Sequence, residues 1–154
     1  MSEEILKLFI VINSTEYYER YLVEWAEQKL IENIESNSLI QLAGLVESEY
    51  HNSKELFEKA VVELGYEIPS EKEILINSAI QIAHDIVENK FDANKGCEII
   101  NNISIQLEYP EELSSFQLLA HEQYGHENIG IYAKDLIPDI KNASVELINK
   151  FKTV

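Results

Sequence analysis

The chain has 154 residues and a formal net charge of −16, with 28 Asp and Glu residues against 12 Lys and Arg residues. A domain of this length buries about 70% of the surface that its unfolded chain exposes, so it should need no covalent staple. Its negative field repels phosphate backbones and anionic lipid headgroups, which argues against direct binding to nucleic acid or to a membrane surface, and it attracts basic proteins.

The cysteine content and the length of the apolar runs indicate the cellular compartment of the protein. Cys97 is the single cysteine, so no disulfide forms within the chain, as is typical of a reducing compartment. The apolar run at residues 8–12 is far shorter than the ~20 residues that span a bilayer. We therefore predict a folded cytoplasmic protein with neither a signal peptide nor a membrane helix.

Two helices are predicted near the amino terminus. Residues 4–12 are predicted to form a helix, with a buried strand as the alternative because periodicity alone does not separate the two for so short an apolar run. Residues 15–34 bring apolar side chains back every three or four positions, behind Ser14 and Thr15 as candidate caps. This spacing predicts an amphipathic helix whose outer face is rich in glutamate.

Serine residues mark the next two helix starts. Ser36 or Ser38 can cap a short helix that contains the apolar residues of 39–45. Ser53 can cap another helix, which Gly65 should end because glycine adopts the left-handed conformation at helix ends without strain.

Proline and aspartate mark the remaining helix starts. Pro69 precedes the longest helix, and Asp92 is a candidate cap for a helix that runs to Leu107. Pro110 is predicted to start another helix, and a final helix is predicted to begin at about Pro138. These signals predict short connections throughout the second half of the chain.

Strand signals are weak in this sequence. It contains no Asn-Gly or Asp-Gly dipeptide, and no alternating apolar run is followed by a hairpin turn. The pattern predicts an all-α fold, with a single domain over residues 1–154 that forms a bundle of roughly seven to nine helices with short connections.

The pair His121 and His126 resembles part of a zinc-protease helix, but the two histidines are five positions apart. Chelation from one helix needs histidines at i and i+4, and the fifth position turns the second ring by about 140°. The spacing therefore favours a polar helix terminus, and we predict no metal or other cofactor.

Two further positions have residues of the types used in catalysis. Cys97 follows Gly96 near a helix start, where the helix dipole lowers a thiol pKa, but its apolar neighbours favour burial. His84 and Asp85 are adjacent, and neighbouring side chains on a helix point about 100° apart. Neither position predicts a catalytic centre, and we predict that the chain is not an enzyme.

One long segment combines acidic and aromatic residues. Between Gly96 and Ala133 there is no Lys or Arg, whereas six glutamates and four aromatic residues occur. Tyrosine is enriched at interfaces, so the segment predicts a partner-binding surface over a merely solvated face. The predicted interface residues are Glu108, Tyr109, Glu111, Glu112, Glu122, Tyr124 and Glu127, with Glu47, Glu49 and Tyr50 as a second cluster.

Several helix-packing segments resemble those of a known group of proteins. They are Trp25-Ala26, residues 39–45 (LIQLAGL), residues 56–65 (LFEKAVVELG) and the helix start at Pro69. Over about residues 22–107 the chain is similar to small all-helical bacterial immunity proteins of contact-dependent growth inhibition and related toxin systems. The resemblance carries over no binding residues.

The resemblance implies a non-catalytic protein that binds and neutralises a cognate basic toxin domain. A nuclease is the favoured toxin, because its nucleic-acid groove must be basic. Two alternatives stay open at this point. One is a regulatory or scaffold protein that binds another basic partner, and the other is an enzyme that uses His121 and His126 with nearby carboxylates.

Overall fold

The computed structural model describes residues 2–128 and 136–152, and in the seventh helix it describes side chains as far as Tyr124. The predicted all-α class is confirmed, because the described residues form eight α-helices and contain no strand. The α-helices are α1 (Glu3–Ser14), α2 (Glu19–Ile31), α3 (Asn37–Ala43), α4 (Ser53–Glu63), α5 (Glu71–Val87), α6 (Ala93–Gln106), α7 (Ser114–Asn128) and α8 (Ile137–Lys152), and the 3-10 helices are Glu47–Asn52 and Glu111–Leu113. Each helix in the described part falls short of the length and apolarity that a membrane span requires.

The chain divides into two compact units, with the division inside α5 between Ile74 and Leu75. Unit 1 comprises residues 1–74 and unit 2 comprises residues 75–154. Each unit has its own cluster of buried apolar side chains, which we call the unit 1 core and the unit 2 core. The prediction of one domain over the whole chain stays a prediction.

Aromatic side chains from three helices meet in the unit 1 core. The Phe57 ring is fully buried, and its centroid lies 5.1 Å from that of Phe9 and 5.1 Å from that of Trp25. The Trp25 ring meets Phe57 at 81°, the edge-to-face geometry that aromatic quadrupoles favour. Phe57 therefore connects α1, α2 and α4.

The helix α2 begins later than its periodicity predicts. Thr15 and Ser14 belong to the end of α1, where the Ser14 hydroxyl donates to the Ile10 carbonyl at 2.7 Å and the Thr15 N–H donates to Val11. The helix α2 begins at Glu19 with Tyr18 at its N-cap position, so Ser14 and Thr15 lie too far upstream to cap it. The prediction that α2 starts at residue 15 was wrong because α1 runs as far as Ser14.

Two serines act together where α3 begins. Ser36 caps α3 by accepting from the Leu39 N–H at 3.2 Å, which settles the choice between the two candidate caps. Ser38 instead donates its N–H, at 2.9 Å, and its hydroxyl to the Glu63 carboxylate at the end of α4. These bonds lower the pKa of the Glu63 carboxyl, the Ser38 hydroxyl having the largest effect. Glu63 thus ties α4 to the start of α3.

In unit 2, α6 contacts both α7 and α8, and α7 contacts α8. Asp92 caps α6 as predicted, since its Oδ2 accepts from the Lys95 N–H at 2.9 Å. Near the same end, a Cβ atom added to Gly96 would lie 2.6 Å from the Cδ1 atom of buried Ile86. Glycine therefore allows α6 to approach α5 more closely than any other residue would.

A candidate partner-binding groove

A groove of about 610 Å³ lies along α6 and α7, within unit 2. We call it the α6–α7 groove. Glu98, Asn101, Asn102 and Ile105 line it from α6, Tyr109 lines it from the loop that follows α6, and Gln117, Leu118, Ala120, His121, Gln123 and Tyr124 line it from α7. It brings together Tyr109 and Tyr124, which the sequence placed in the predicted interface.

The period of α6 explains which of its residues face the groove. Cys97 and Ile100 are fully buried in the unit 2 core. Residues one position later on a helix are turned by about 100°, so Glu98 and Asn101 lie beside the buried stripe. Ile105 continues this second stripe two helical turns after Glu98. One face of α6 thus packs in the core while the adjoining face forms a groove wall.

Large apolar side chains remain exposed along this groove. The relative exposure of Ile105, Tyr109, Leu118 and Tyr124 runs from 48% to 68%. An isolated exposed apolar side chain is ordinary, but several in one concave surface are characteristic of a contact site. The α6–α7 groove therefore offers apolar area for a binding partner.

The charge around the groove is negative. Glu98 lines the groove, and no Lys or Arg is among the lining residues that the structure describes. Glu108 and Glu122 are exposed on the same segment. Within the part of the chain that the structure describes, none of these three carboxylates forms an ion pair with a basic side chain. The negative charges of Glu98, Glu108 and Glu122 are therefore exposed to solvent and are not neutralised by an ion pair with a described residue.

Carboxamide side chains supply the remaining polar lining. Asn101, Asn102 and Gln117 contribute from both helices. The Oδ1 atom of Asn101 is buried and has no hydrogen-bond partner among the described residues. A buried acceptor without a donor costs about 1–3 kcal/mol, so a ligand donor that reached Asn101 would relieve that cost.

The backbone that positions Tyr109 is strained. Among the described residues, four helix ends reverse through a residue with positive φ, namely Asn33, Gly65, Asn89 and Glu108. Asparagine and glycine tolerate this conformation, whereas for other residues it costs about 1–2 kcal/mol. Tyr109 follows with a second positive φ of 61°, and its N–H donates to the Ser104 carbonyl at 2.8 Å. This turn directs the chain from α6 to the groove rim.

Replacing Glu108 with Gly should raise the free energy of unfolding by about 0.5–1 kcal/mol, since it removes the strain at a φ of 58° while adding some unfolded-state entropy. Chemical denaturation followed by circular dichroism measures the change. Glu112→Gly is the matched control, because Glu112 lies in a 3-10 helix without positive φ and its loss should destabilise. A loss of stability in Glu108→Gly would instead show a stabilising role for the Glu108 side chain.

Of the other predicted interface residues in this segment, Glu108, Glu111, Glu112 and Glu122 are not among the described lining residues of the groove. Glu111 and Glu112 belong to the 3-10 helix before α7, and Glu122 is exposed on α7 beside His121. Glu127 falls within α7 but outside the residues whose side chains the structure describes. The described lining of the groove thus includes the two predicted tyrosines, Tyr109 and Tyr124. Its acidic residue is Glu98, which belongs to the acidic segment but not to the predicted interface residues.

The second predicted cluster belongs to unit 1. Glu47 is exposed, but the Glu49 carboxylate accepts from the Val46 N–H at 3.2 Å and closes the start of the 3-10 helix. Tyr50 is half-buried against the unit 1 core. Glu49 and Tyr50 therefore have structural roles in addition to any partner contact.

The candidate catalytic residues are not brought together in the described part of the chain. Asp85 accepts a hydrogen bond from Gln81 at 3.3 Å, and exposed His84 points elsewhere on α5. His121 lines the groove, whereas the side chain of His126 lies outside the described residues. Among the described side chains, no group of three or more His, Cys, Asp and Glu residues is placed to hold a metal ion.

The predicted burial of Cys97 is confirmed. Its thiol lies in the unit 2 core, with its Sγ atom 3.5 Å from the Phe116 carbonyl. Burial, reinforced by nearby Glu98, raises the pKa of the Cys97 thiol to about 12. A thiol with so high a pKa is a poor nucleophile at neutral pH.

Neither charge nor motif identifies the uncharged residues that line the groove. Asn101, Ile105, Gln117 and Leu118 carry no charge and belong to no motif. Their helical spacing was the available signal, because Asn101 and Ile105 recur with Glu98 on one side of α6. Which stripe of α7 would face them depends on how the two helices pack.

Comparison of this chain with protein-family models, with curated proteins and with solved structures finds no significant match.

Proposed function

We propose that this chain is a non-catalytic acidic immunity protein of the cytoplasm, which binds and neutralises a cognate basic toxin domain. The observation that carries the proposal is the α6–α7 groove, where exposed tyrosines and aliphatic side chains adjoin Glu98, with no Lys or Arg among the described lining residues. Such a surface suits a protein partner whose own surface is basic and partly apolar.

Charge and apolar contact contribute to binding at different stages. The net charge of −16 attracts a basic domain over long range and can raise the association rate by about 10–10³-fold at low salt. Exposed aromatic side chains such as Tyr109 and Tyr124 would become buried against the partner and then slow dissociation. Rapid, lasting capture is what neutralisation of a toxin requires.

A nuclease is the favoured toxin class, since its substrate groove must be basic to bind phosphates. An acidic protein that covers this groove excludes the nucleic acid without any chemistry of its own. The immunity-protein resemblance of the helix-packing segments supports the same class of partner.

The proposal is tested by recovering the partner from the native host with the tagged full chain, then measuring association. We expect a basic protein whose expression alone arrests growth and whose effect this chain reverses. In the variant Glu108→Lys/Glu111→Lys/Glu122→Lys, association at low salt should slow by at least tenfold. The matched control Glu16→Lys/Glu27→Lys/Glu35→Lys makes the same change in net charge at exposed positions of unit 1.

Several outcomes would count against this function. An acidic partner, or an unchanged association rate in the Glu108 triple variant, would contradict charge-guided binding at this segment. Equal slowing in both triple variants would show that only total charge matters. A basic partner without toxicity would favour the regulatory or scaffold alternative.

A further inference from the structure

We propose that the α6–α7 groove receives a short basic amphipathic helix supplied by the partner, with its apolar stripe on Ile105, Leu118 and the two tyrosines and its Lys or Arg residues at Glu98 and Glu108. This inference rests on the proposed function and specifies the chemistry of the recognised segment. Three features of the groove carry it: its dimensions, its apolar lining and its charge.

The α6 wall of the groove has the length of two turns of a docked helix. Its α6 wall runs from Glu98 to Ile105, which corresponds to about 10 Å at 1.5 Å per residue. Side chains at i, i+3 or i+4 and i+7 on a docked helix span the same two turns. A helix also fits between two existing helices by packing its ridges into their grooves.

The apolar side chains of the groove lie on both walls. Ile105 lies on α6 and Leu118 on α7, so a docked apolar stripe would contact both helices at once. Tyr109 and Tyr124 add large exposed side chains, each of which combines an apolar ring with a polar hydroxyl. Apolar contacts with adjoining polar groups are the pattern of helix-in-groove recognition.

Charge selects a basic helix over the other possible occupants. Glu98 and Glu108 are exposed, and neither pairs with a cation among the described residues. A second copy of this chain would bring another net charge of −16, so like-charge repulsion opposes self-association here. A Lys or Arg on the docked helix would meet these carboxylates, and an Arg fork can also donate to an amide oxygen such as that of Asn101.

The test uses the full chain and a synthetic 18-residue peptide as the probe. The peptide carries Leu at i, i+4, i+7 and i+11 and Lys at most other positions, which gives one apolar stripe. A scrambled peptide of identical composition retains the charge but lacks the stripe. We expect the striped peptide to bind at least tenfold more tightly, and to shift the amide NMR signals of Ile105, Tyr109, Leu118 and Tyr124 most strongly.

A pair of matched double variants locates the site. Ile105→Ala/Leu118→Ala removes exposed side chains from the groove, and Ile40→Ala/Ile31→Ala removes side chains of similar exposure, 49% and 73%, from unit 1. The groove variant should weaken binding of the striped peptide by tenfold or more, while the unit 1 variant should change it less than twofold. Circular dichroism verifies that both variants fold.

The outcomes separate this inference from the proposed function. Equal affinity for the two peptides, or full affinity in the Ile105/Leu118 variant, would overturn the groove as a helix-docking site. If the partner recovered from the host still bound in a charge-dependent way, the proposed function would survive that result. If no basic partner were recovered while the striped peptide bound the groove, the proposed function would fail and the docking site would stand.

Discussion

Replacing Phe57 with Ala is expected to lower the free energy of unfolding by about 3–5 kcal/mol, the range observed for large aromatic truncations in packed cores. The Phe57 side chain is fully buried and contacts the rings of Phe9 and Trp25 with centroid separations of 5.1 Å each. Its removal leaves a cavity that these rings can fill only in part. The loss should exceed that of any single surface substitution.

Urea denaturation of the Phe57→Ala variant, followed by fluorescence of the single tryptophan Trp25, measures this loss. Val62→Ala is the matched control on the same helix, because Val62 is exposed and its truncation should change stability by less than about 0.5 kcal/mol. If Phe57→Ala cost no more than Val62→Ala, the unit 1 core would not be packed around Phe57.

The Cys97 thiol should react with a disulfide reagent such as DTNB at least roughly 10³-fold more slowly in the native protein than in the unfolded chain. The thiolate is the reactive species, and raising the pKa from 9.0 to about 12 cuts its fraction at pH 8 by roughly three powers of ten. The thiol is also buried, so the reagent needs a local opening to reach it.

The reaction is followed by the absorbance of the aromatic thiolate that DTNB releases. The same measurement in about 6 M guanidinium chloride gives the rate for the unfolded chain. Because the folded pKa is raised, the neutral thiol contributes stability below pH 9.0, and that contribution is lost as the pH rises towards about 12. If Cys97 reacted as fast in the native protein as in guanidinium chloride, its thiol would be accessible and could act as a nucleophile.

These two reporters also test the prediction of a single domain. Trp25 lies in the unit 1 core and Cys97 in the unit 2 core. Coincident urea midpoints for Trp25 fluorescence and Cys97 labelling are expected of one cooperative domain. Separate midpoints would show that the two units unfold independently.

Local signals in the sequence predict most helices and several of their ends. Asp92 caps α6 and Gly65 ends α4 because the chemistry of a cap or a left-handed turn depends on one residue and its near neighbours. The predicted start of α2 was wrong because Ser14 belongs to α1, where its hydroxyl donates to the Ile10 carbonyl. How far α1 extends cannot be read from the residues around Ser14 alone. Which helices share a core was not predictable, since periodicity identifies a buried face but not the helix that covers it.

The candidate site was predictable only where residue type carried the signal. Tyr109 and Tyr124 stood out as aromatic residues in an acidic segment, and both line the α6–α7 groove. Asn101 and Leu118 did not stand out, because an amide or a leucine becomes part of a groove only through the packing of α6 on α7. Glu111 and Glu112 were predicted as interface residues because they belong to the acidic segment, but they lie on the 3-10 helix that precedes α7.

Gly96 constrains how this protein could be engineered to recognise other partners. Any larger residue there would press against the side chains of Ile82 and Ile86, so that either these side chains or the helix that carries the groove wall would have to shift. Glu98, Asn102 and Ile105 can be randomised, because they face away from that contact. A library that varies these three positions while keeping the glycine would alter specificity without moving the scaffold beneath it.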